Sequence, residues 1–174
     1  MQHYSRLQII LHWATAALVL LSLAFGTLIL QHLPNDVGKI TPLRVHMIAG
    51  GAIGLLIVVR LIVRLTTPQP DRVKTGNSLL DRLAVLNHGA MYVGVIVMVS
   101  SGIALALQAG LPAVIFGHAG AAIPADFGQY PPRFVHGLFA KFLIALVGLH
   151  FAAALFHQFV RKDRTLSRMW FARS

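Results

Sequence analysis

The sequence predicts an all-α integral membrane protein, a four-transmembrane-helix bundle with both termini cytoplasmic. Three observations predict it. Of the 174 residues, 56% are hydrophobic and 11% charged, whereas a soluble domain carries roughly a quarter of its residues as charges. Apolar stretches long enough to cross a hydrocarbon core of about 30 Å recur four times. The basic residues, 15 Lys and Arg against 5 acidic residues for a net charge of +10, collect mostly on one side of those stretches. A mean hydropathy of +0.71 excludes disorder and collagen-like repeats, and basicity in so apolar a chain points to membrane orientation rather than nucleic acid. No cysteine is present, which excludes disulfides, thiolate metal sites and c-type haem attachment.

The first stretch, approximately 7–33, is uncharged apart from His12 and His32. At about 1.5 Å per residue it reaches about 40 Å, too long for a cleaved signal peptide. The second, 42–65, starts behind Thr41-Pro42, an N-cap with an N1 proline, and carries Arg60 and Arg64 near its end, placed to snorkel. The third, 79–109, is announced by Ser78 with Asp81 three residues on, a variant capping box, and stopped by Gly110 and Pro112. The fourth, 132–161, follows Pro131-Pro132 and is interrupted only by Lys141. The connection 66–82 is short and basic, while 110–132 is rich in Gly, Ala and Pro and is expected to fold back on the outer surface. The whole of 1–174 reads as a single membrane domain. One side holds Arg6, Arg60, Arg64, Arg72, Lys74, Arg82, Arg161, Lys162, Arg164, Arg168 and Arg173; the other holds Lys39, Arg44 and Arg133. The positive-inside rule then places both termini in the cytoplasm.

Six of the nine histidines (His12, His46, His88, His136, His150, His157) fall inside the spanning windows, with His32 at the edge of the first; ionisable residues are costly there and usually functional. His136 and His150 are fourteen residues apart, 40° short of four helical turns. They share a face at two depths about 21 Å apart. Two flat macrocycles stacked across a membrane need that arrangement, with opposing imidazoles from other helices. His46 lies two residues inside Arg44 and His136 three inside Arg133, a matched outer pair. For the inner level, His150 is eleven residues from Arg161 and His12 six from Arg6, a mismatch of about 7 Å. His88 lies at a depth like that of His12, and His157 closer to the surface. Depth alone leaves the inner pair open.

Bis-imidazole ligation in an apolar, cysteine-free bundle suits non-covalent haem b better than zinc or copper. Gly50, Gly51 and Gly54 below His46, and Gly137 after His136, leave room for a porphyrin face or, equally, serve helix packing. Each haem brings two propionates, for which Arg60 and Lys141 are the candidate partners. No intramembrane carboxylate is present, Asp81 lying at the start of the third span, and there is no broken-helix signal, which argues against a proton-relay transporter.

The segments YSRLQIILHW, RVHMIAGG, VVRLIVRLTTP and HGLFAKFLIALVGLHFAAALFHQFVRKDRTLSRM resemble the bacterial di-haem cytochrome b561 family, superoxide oxidases included, over nearly the whole chain. The resemblance implies two haem b groups, with His12 and His150 on the inner iron and His46 and His136 on the outer. It implies a multi-pass protein of the bacterial inner membrane in contact with lipid, oxidising superoxide outside and reducing ubiquinone near the inner haem. The haem anchor subunits of formate dehydrogenases and nickel-iron hydrogenases are similar, and for such a subunit the donor is a partner protein. The region 110–132 and the surroundings of His88 resemble the family less.

Superoxide is a small anion, and Lys39, Arg44 and Arg133 near the outer pair would steer it, against Asp36 and Asp126. On the inner side His88 and His157, with Arg82, are spare at interfacial depth and are the quinone candidates, since imidazole supplies a hydrogen bond and a proton near neutral pH. His3, His32 and His118 receive no role. Trp13, Tyr92, Tyr130, Trp170 and Phe171 read as core or membrane-belt residues.

Overall fold

The computed structural model describes residues 3–71, 75–117, 122–163 and 165–170; Arg72, Lys74, His118, Arg164, Phe171 and Arg173 lie outside them. Five helices succeed one another: α1 (Arg6–Leu28), α2 (Ile40–Thr66), α3 (Ser78–Gln108), a short α4 (Leu111–Phe116) and α5 (Pro131–Leu155). All but α4 belong to spans long and apolar enough to cross a membrane, the chain continuing them as Arg6–His32, Val37–Thr66, Ser78–Gln108 and Pro131–Arg161.

The helix ends differ from expectation for local reasons. α1 opens on a capping box between Ser5 and Gln8, and the Gln8 amide also donates to Thr67 Oγ1 at 2.8 Å, tying it to the end of α2. It stops at Leu28 rather than 33, and a 3₁₀ turn, Leu30–His32, carries the chain to an extended Leu33, as a following proline requires. Asp36 accepts from Gly38 N and starts a 3₁₀ turn at Val37–Lys39 that leads into α2 at Ile40. Pro42 therefore sits within the first turn, where its missing N–H is no loss. The cap of α3 is Asn77, which takes Leu79 N and Leu80 N. Asp81 instead turns back to Thr75, accepting from its N at 2.9 Å and Oγ1 at 2.8 Å. Gly110 ends the helix at φ 65°, a left-handed conformation that suits glycine.

The connection after α3 folds back as expected, but as a packed cap. Leu111 and Ile115 of α4, with Ile123, are buried against Leu30, Leu43 and Ala106. Arg44 of α2 closes this cap by donating from Nε and Nη2 to Ile115 O, at 3.0 and 2.7 Å. A second apolar cluster forms a waist midway: Val19, Leu23, Ile53, Ile57, Val95 and Leu143. There α3 and α5 touch so closely that a Cβ on Gly94 would lie 2.7 Å from Leu143 Cδ2. Outward, Leu21, Leu28, Leu55, Leu86 and Phe134 are exposed, an apolar belt suited to lipid.

Past α5 the chain makes a π turn, Phe156–Arg161, and a 3₁₀ turn, Thr165–Met169. This end is strapped to the beginning of the chain. Tyr4 N donates to Arg168 O at 3.3 Å, Trp13 Nε1 to Met169 O at 2.8 Å, and the rings of Trp13 and Trp170 meet edge-on at 5.6 Å. The bundle thus has a terminal half, holding the start of α1, the end of α2, the start of α3 and the Thr165–Met169 turn, and a distal half under the α4 cap.

Candidate functional site

In the distal half α2 and α5 bring His46 and His136 together, their ring centroids 6.2 Å apart. The Met98 carbonyl lies 3.1 Å from His136 Nδ1, with Ser101 Oγ at 3.3 Å. A carbonyl only accepts, so Nδ1 carries the ring hydrogen and Nε2 keeps its lone pair. A backbone acceptor behind the imidazole is the usual support of a metal-ligating histidine. His46 Nδ1 is buried with no hydrogen-bond partner, a costly state for a polar atom unless something else meets it.

Between the two rings lies a cavity with about 970 Å³ of empty space, its open mouth included, walled by Val95, Val99, Leu105 and Leu143. A Cβ on Gly50 or Gly51 would meet nothing within 4 Å, whereas one on Gly102 would lie 3.1 Å from His136 Cε1 and one on Gly26 3.3 Å from His46 Cε1. The first two glycines leave an open wall; the latter two let the rings lie flat on their helices. Two imidazoles facing an apolar slot, one with an orphaned nitrogen, fit a flat apolar macrocycle with an imidazole-seeking iron. Gly54 and Gly137 do not contribute to that slot. Val99 Cγ1 stands 3.0 Å from a Cβ on Gly54, and Arg133 Nη1 3.2 Å from one on Gly137, so these glycines serve packing.

The terminal half brings together three imidazoles. His150 of α5 lies 6.4 Å from His12 of α1 and 5.1 Å from His88 of α3. The depth mismatch between His12 and His150 is therefore absorbed, and His88 comes as near to His150 as His12 does. Arg60 Nη2 donates to His12 Nδ1 at 2.7 Å and its guanidinium lies over the Tyr92 ring at 5.6 Å. An arginine only donates, so here His12 accepts at Nδ1 and carries its hydrogen at Nε2. Arg60, a propionate candidate by sequence, thus has the His12 ring as its partner in this structure.

The remaining candidates are placed as follows. Lys141 lies exposed on α5, and Arg82 exposed at the start of α3. His88 Nδ1 pairs with Ala84 O at 2.6 Å. His157, on the π turn seven residues beyond His150, is 2.5 Å from Asp163 Oδ2 through Nδ1. Lys39 is buried, its Nζ donating to Leu33 O and Asn35 Oδ1, both at 2.8 Å, and Arg44 is committed to the cap. Carbonyls and amides do not neutralise those charges, so the distal face stays positive.

Sequence reasoning missed Asp163. Burial pushes its carboxyl up, but hydrogen bonds from Thr165 and His157 outweigh this and hold it below the usual carboxylate range. The signal was the run HQFVRKDRT, whose Asp is six residues from His157, a spacing that a regular helix does not bring together. It also missed Gly26, Gly102 and the Met98 carbonyl, which only the packing of three helices assembles.

The chain was compared with known proteins. The family model described as prokaryotic cytochrome b561 matches residues 3–172. A protein named cytochrome b562 from Cereibacter sphaeroides is 32% identical over 170 residues, 95% of this chain and 94% of that one. A probable superoxide oxidase CybB from Yersinia pestis is 31% identical over 171 residues, covering 95% and 94% of the two chains. Cytochrome b561 homolog 1 of Escherichia coli is 27% identical over 173 residues, 97% of each. No solved structure matches at a significant level. With four membrane-crossing helices and imidazoles facing an apolar slot, the chain belongs to the prokaryotic cytochrome b561 family, multi-pass bacterial membrane proteins that transfer electrons on haem b.

Proposed function

We propose that the chain carries two haem b groups in the inner membrane and moves single electrons from superoxide at the periplasmic face to ubiquinone near the cytoplasmic face. The observation that carries this reading is the pairing of imidazoles at two levels, His46 with His136 and His12 with His150, about 21 Å apart along α5 by helical rise. The charge asymmetry puts the terminal half and both chain ends in the cytoplasm, and 1–174 acts as one membrane domain. The relative named probable superoxide oxidase supports the donor.

Haem b, when bound, supplies a one-electron carrier at each level. The chain's own residues do the rest. His136, oriented by the Met98 carbonyl, and His46, 6.2 Å across the slot from it, would hold the distal group, with Lys141 as its propionate partner. His12 offers Nε2 only if its ring hydrogen moves to Nδ1, which requires Arg60 to let go. The guanidinium released is then free for a propionate of the terminal group. Lys39, Arg44 and Arg133 draw a small anion to the distal face, although the first two are also tied into the fold. At the terminal face His88, His157 and Arg82 surround the position a quinone head group would take.

The test is to mix superoxide with the purified, oxidised protein and follow haem reduction, then add ubiquinone. Reduction faster than autoxidation, slowing severalfold between 0.1 and 1 M salt as the screening length falls from about 10 to about 3 Å, and falling two- to fivefold in Arg133→Gln, is the expected result. A chain that superoxide does not reduce, but a membrane dehydrogenase fraction does, would be an anchor subunit instead.

A further inference from the structure

Where α5 ends, the backbone does not unwind into a loop. It widens into a π turn, Phe156–Arg161, and reverses at Lys162, which adopts φ 55°. A π turn in an otherwise regular helix is uncommon and concentrates at functional sites. Its effect here is specific. It lets Asp163, six residues on, fold back so that Oδ2 reaches His157 Nδ1 at 2.5 Å.

The carboxylate is itself fixed from three directions. Asp163 Oδ1 accepts from Thr165 N at 3.1 Å and Thr165 Oγ1 at 2.6 Å, and Arg161 Nε stands 3.5 Å from Oδ2. Arg161 also donates to Thr75 O at 2.9 Å, and Thr75 is held by Asp81. The network therefore runs from the start of α3 to the end of α5. Both His157 and Asp163 remain partly open, with side chains 18% and 24% exposed. An ionised carboxylate has no hydrogen to give, so the ring hydrogen must be on Nδ1. That leaves Nε2 pointing away from the pair, free for another group.

We propose that Asp163 is a positioning residue for quinone reduction, keeping the Nδ1–H of His157 in place so that Nε2, once it has taken a proton from the cytoplasmic side, donates to the quinone carbonyl oxygen. The inference rests on the reading that quinone is reduced at the terminal half. Two superoxide anions are oxidised to dioxygen and give two electrons, delivered singly; the quinone takes both together with two protons and leaves as quinol. His157 takes a proton at Nε2 from the cytoplasmic side and becomes an imidazolium held by Asp163 at Nδ1; that proton crosses to one quinone oxygen, the N–H bond breaking as the O–H bond forms, and the other oxygen takes its proton from cytoplasmic hydronium. The Nδ1–H bond to Asp163 is kept throughout. A buried carboxylate behind an imidazole does the same in hydrolases, where replacing it with the amide leaves the geometry but inverts the tautomer.

The test uses the full-length, haem-loaded protein with ubiquinone-1 and a ¹⁵N-histidine-labelled sample. The signal lost in His157→Phe identifies the ring; in the wild type it should read Nδ1–H, and in Asp163→Asn it should move to Nε2–H. Reoxidation by ubiquinone-1 should slow at least tenfold in Asp163→Asn, on the scale expected of one general acid. Both haem spectra should be intact, and Asp163→Glu should recover the rate to within about threefold. Should Asp163→Asn fail to assemble, Thr165→Val, which keeps the carboxylate but removes one of its hydrogen bonds, should slow reoxidation by a smaller factor. If His157→Phe slows reoxidation but Asp163→Asn changes neither tautomer nor rate, the positioning role is overturned while quinone reduction here stands. If His157→Phe leaves reoxidation unchanged, the quinone site itself lies elsewhere and the inference falls with it.

Discussion

The two halves of the bundle use the same ligand chemistry and hold it in different states. In the distal half the slot between His46 and His136 stands open: Gly50 and Gly51 face empty space, His46 Nδ1 has no partner, and His136 is already turned by the Met98 carbonyl. In the terminal half His12, His88 and His150 close on one another, and Arg60 occupies the nitrogen of His12 that a ligating ring would protonate. The difference teaches that helix packing alone shapes the first site, since the cap and the waist keep α2 and α5 apart. The second has polar groups that satisfy each other and must exchange partners before they can serve a metal. An unpaired buried imidazole is expensive, and the protein tolerates one of them, not three.

The largest expected effect tests whether the halves are separate sites. The pyridine haemochrome of the purified protein should give two b haems per chain, falling to one in His46→Ala and to one in His150→Ala. Gly102→Val should act like His46→Ala, because its side chain would press on the His136 ring from 3.1 Å. A single change that emptied both sites without unfolding would erase the distinction drawn above. A smaller effect separates the two states of readiness. Arg60→Gln should weaken retention of the terminal haem about ten- to a hundredfold, the scale of a lost hydrogen bond to a charged group at about 1.5–3 kcal/mol, and leave the distal haem untouched. Equal retention in the variant would mean that Arg60 serves only the His12 ring.

Much of this was legible in the chain. Four spans followed from hydropathy, and the matched heights of His46 and His136 followed from their distance to Arg44 and Arg133. The α4 cap was not, because LPAVIF is a six-residue apolar run between two glycines with no helical period to read. The inner ligand pair stayed open on spacing alone for a reason the coordinates make plain, since His150 stands between His12 and His88 and is near both. Arg60 was legible as a cation in the second span, but its direction toward the His12 ring is decided by the packing of α1. Asp163 escaped because a π turn breaks the 3.6-residue period on which reasoning about one helix face depends.

The waist has a consequence for charge movement. Val19, Leu23, Ile53, Ile57, Val95 and Leu143 separate the two histidine levels with buried aliphatic side chains, which offer a proton no hydrogen-bonding stations. If the proposed function and orientation hold, each electron taken from a periplasmic donor carries negative charge inward, and the protons of the quinol come from the same cytoplasmic side. Turnover then charges the membrane, inside negative, against an opposing work of about 2.3 kcal/mol per electron for each 100 mV already present. In sealed vesicles of that orientation, collapsing the potential with an ionophore should speed quinone reduction, and the voltage across the bilayer becomes a brake on the enzyme.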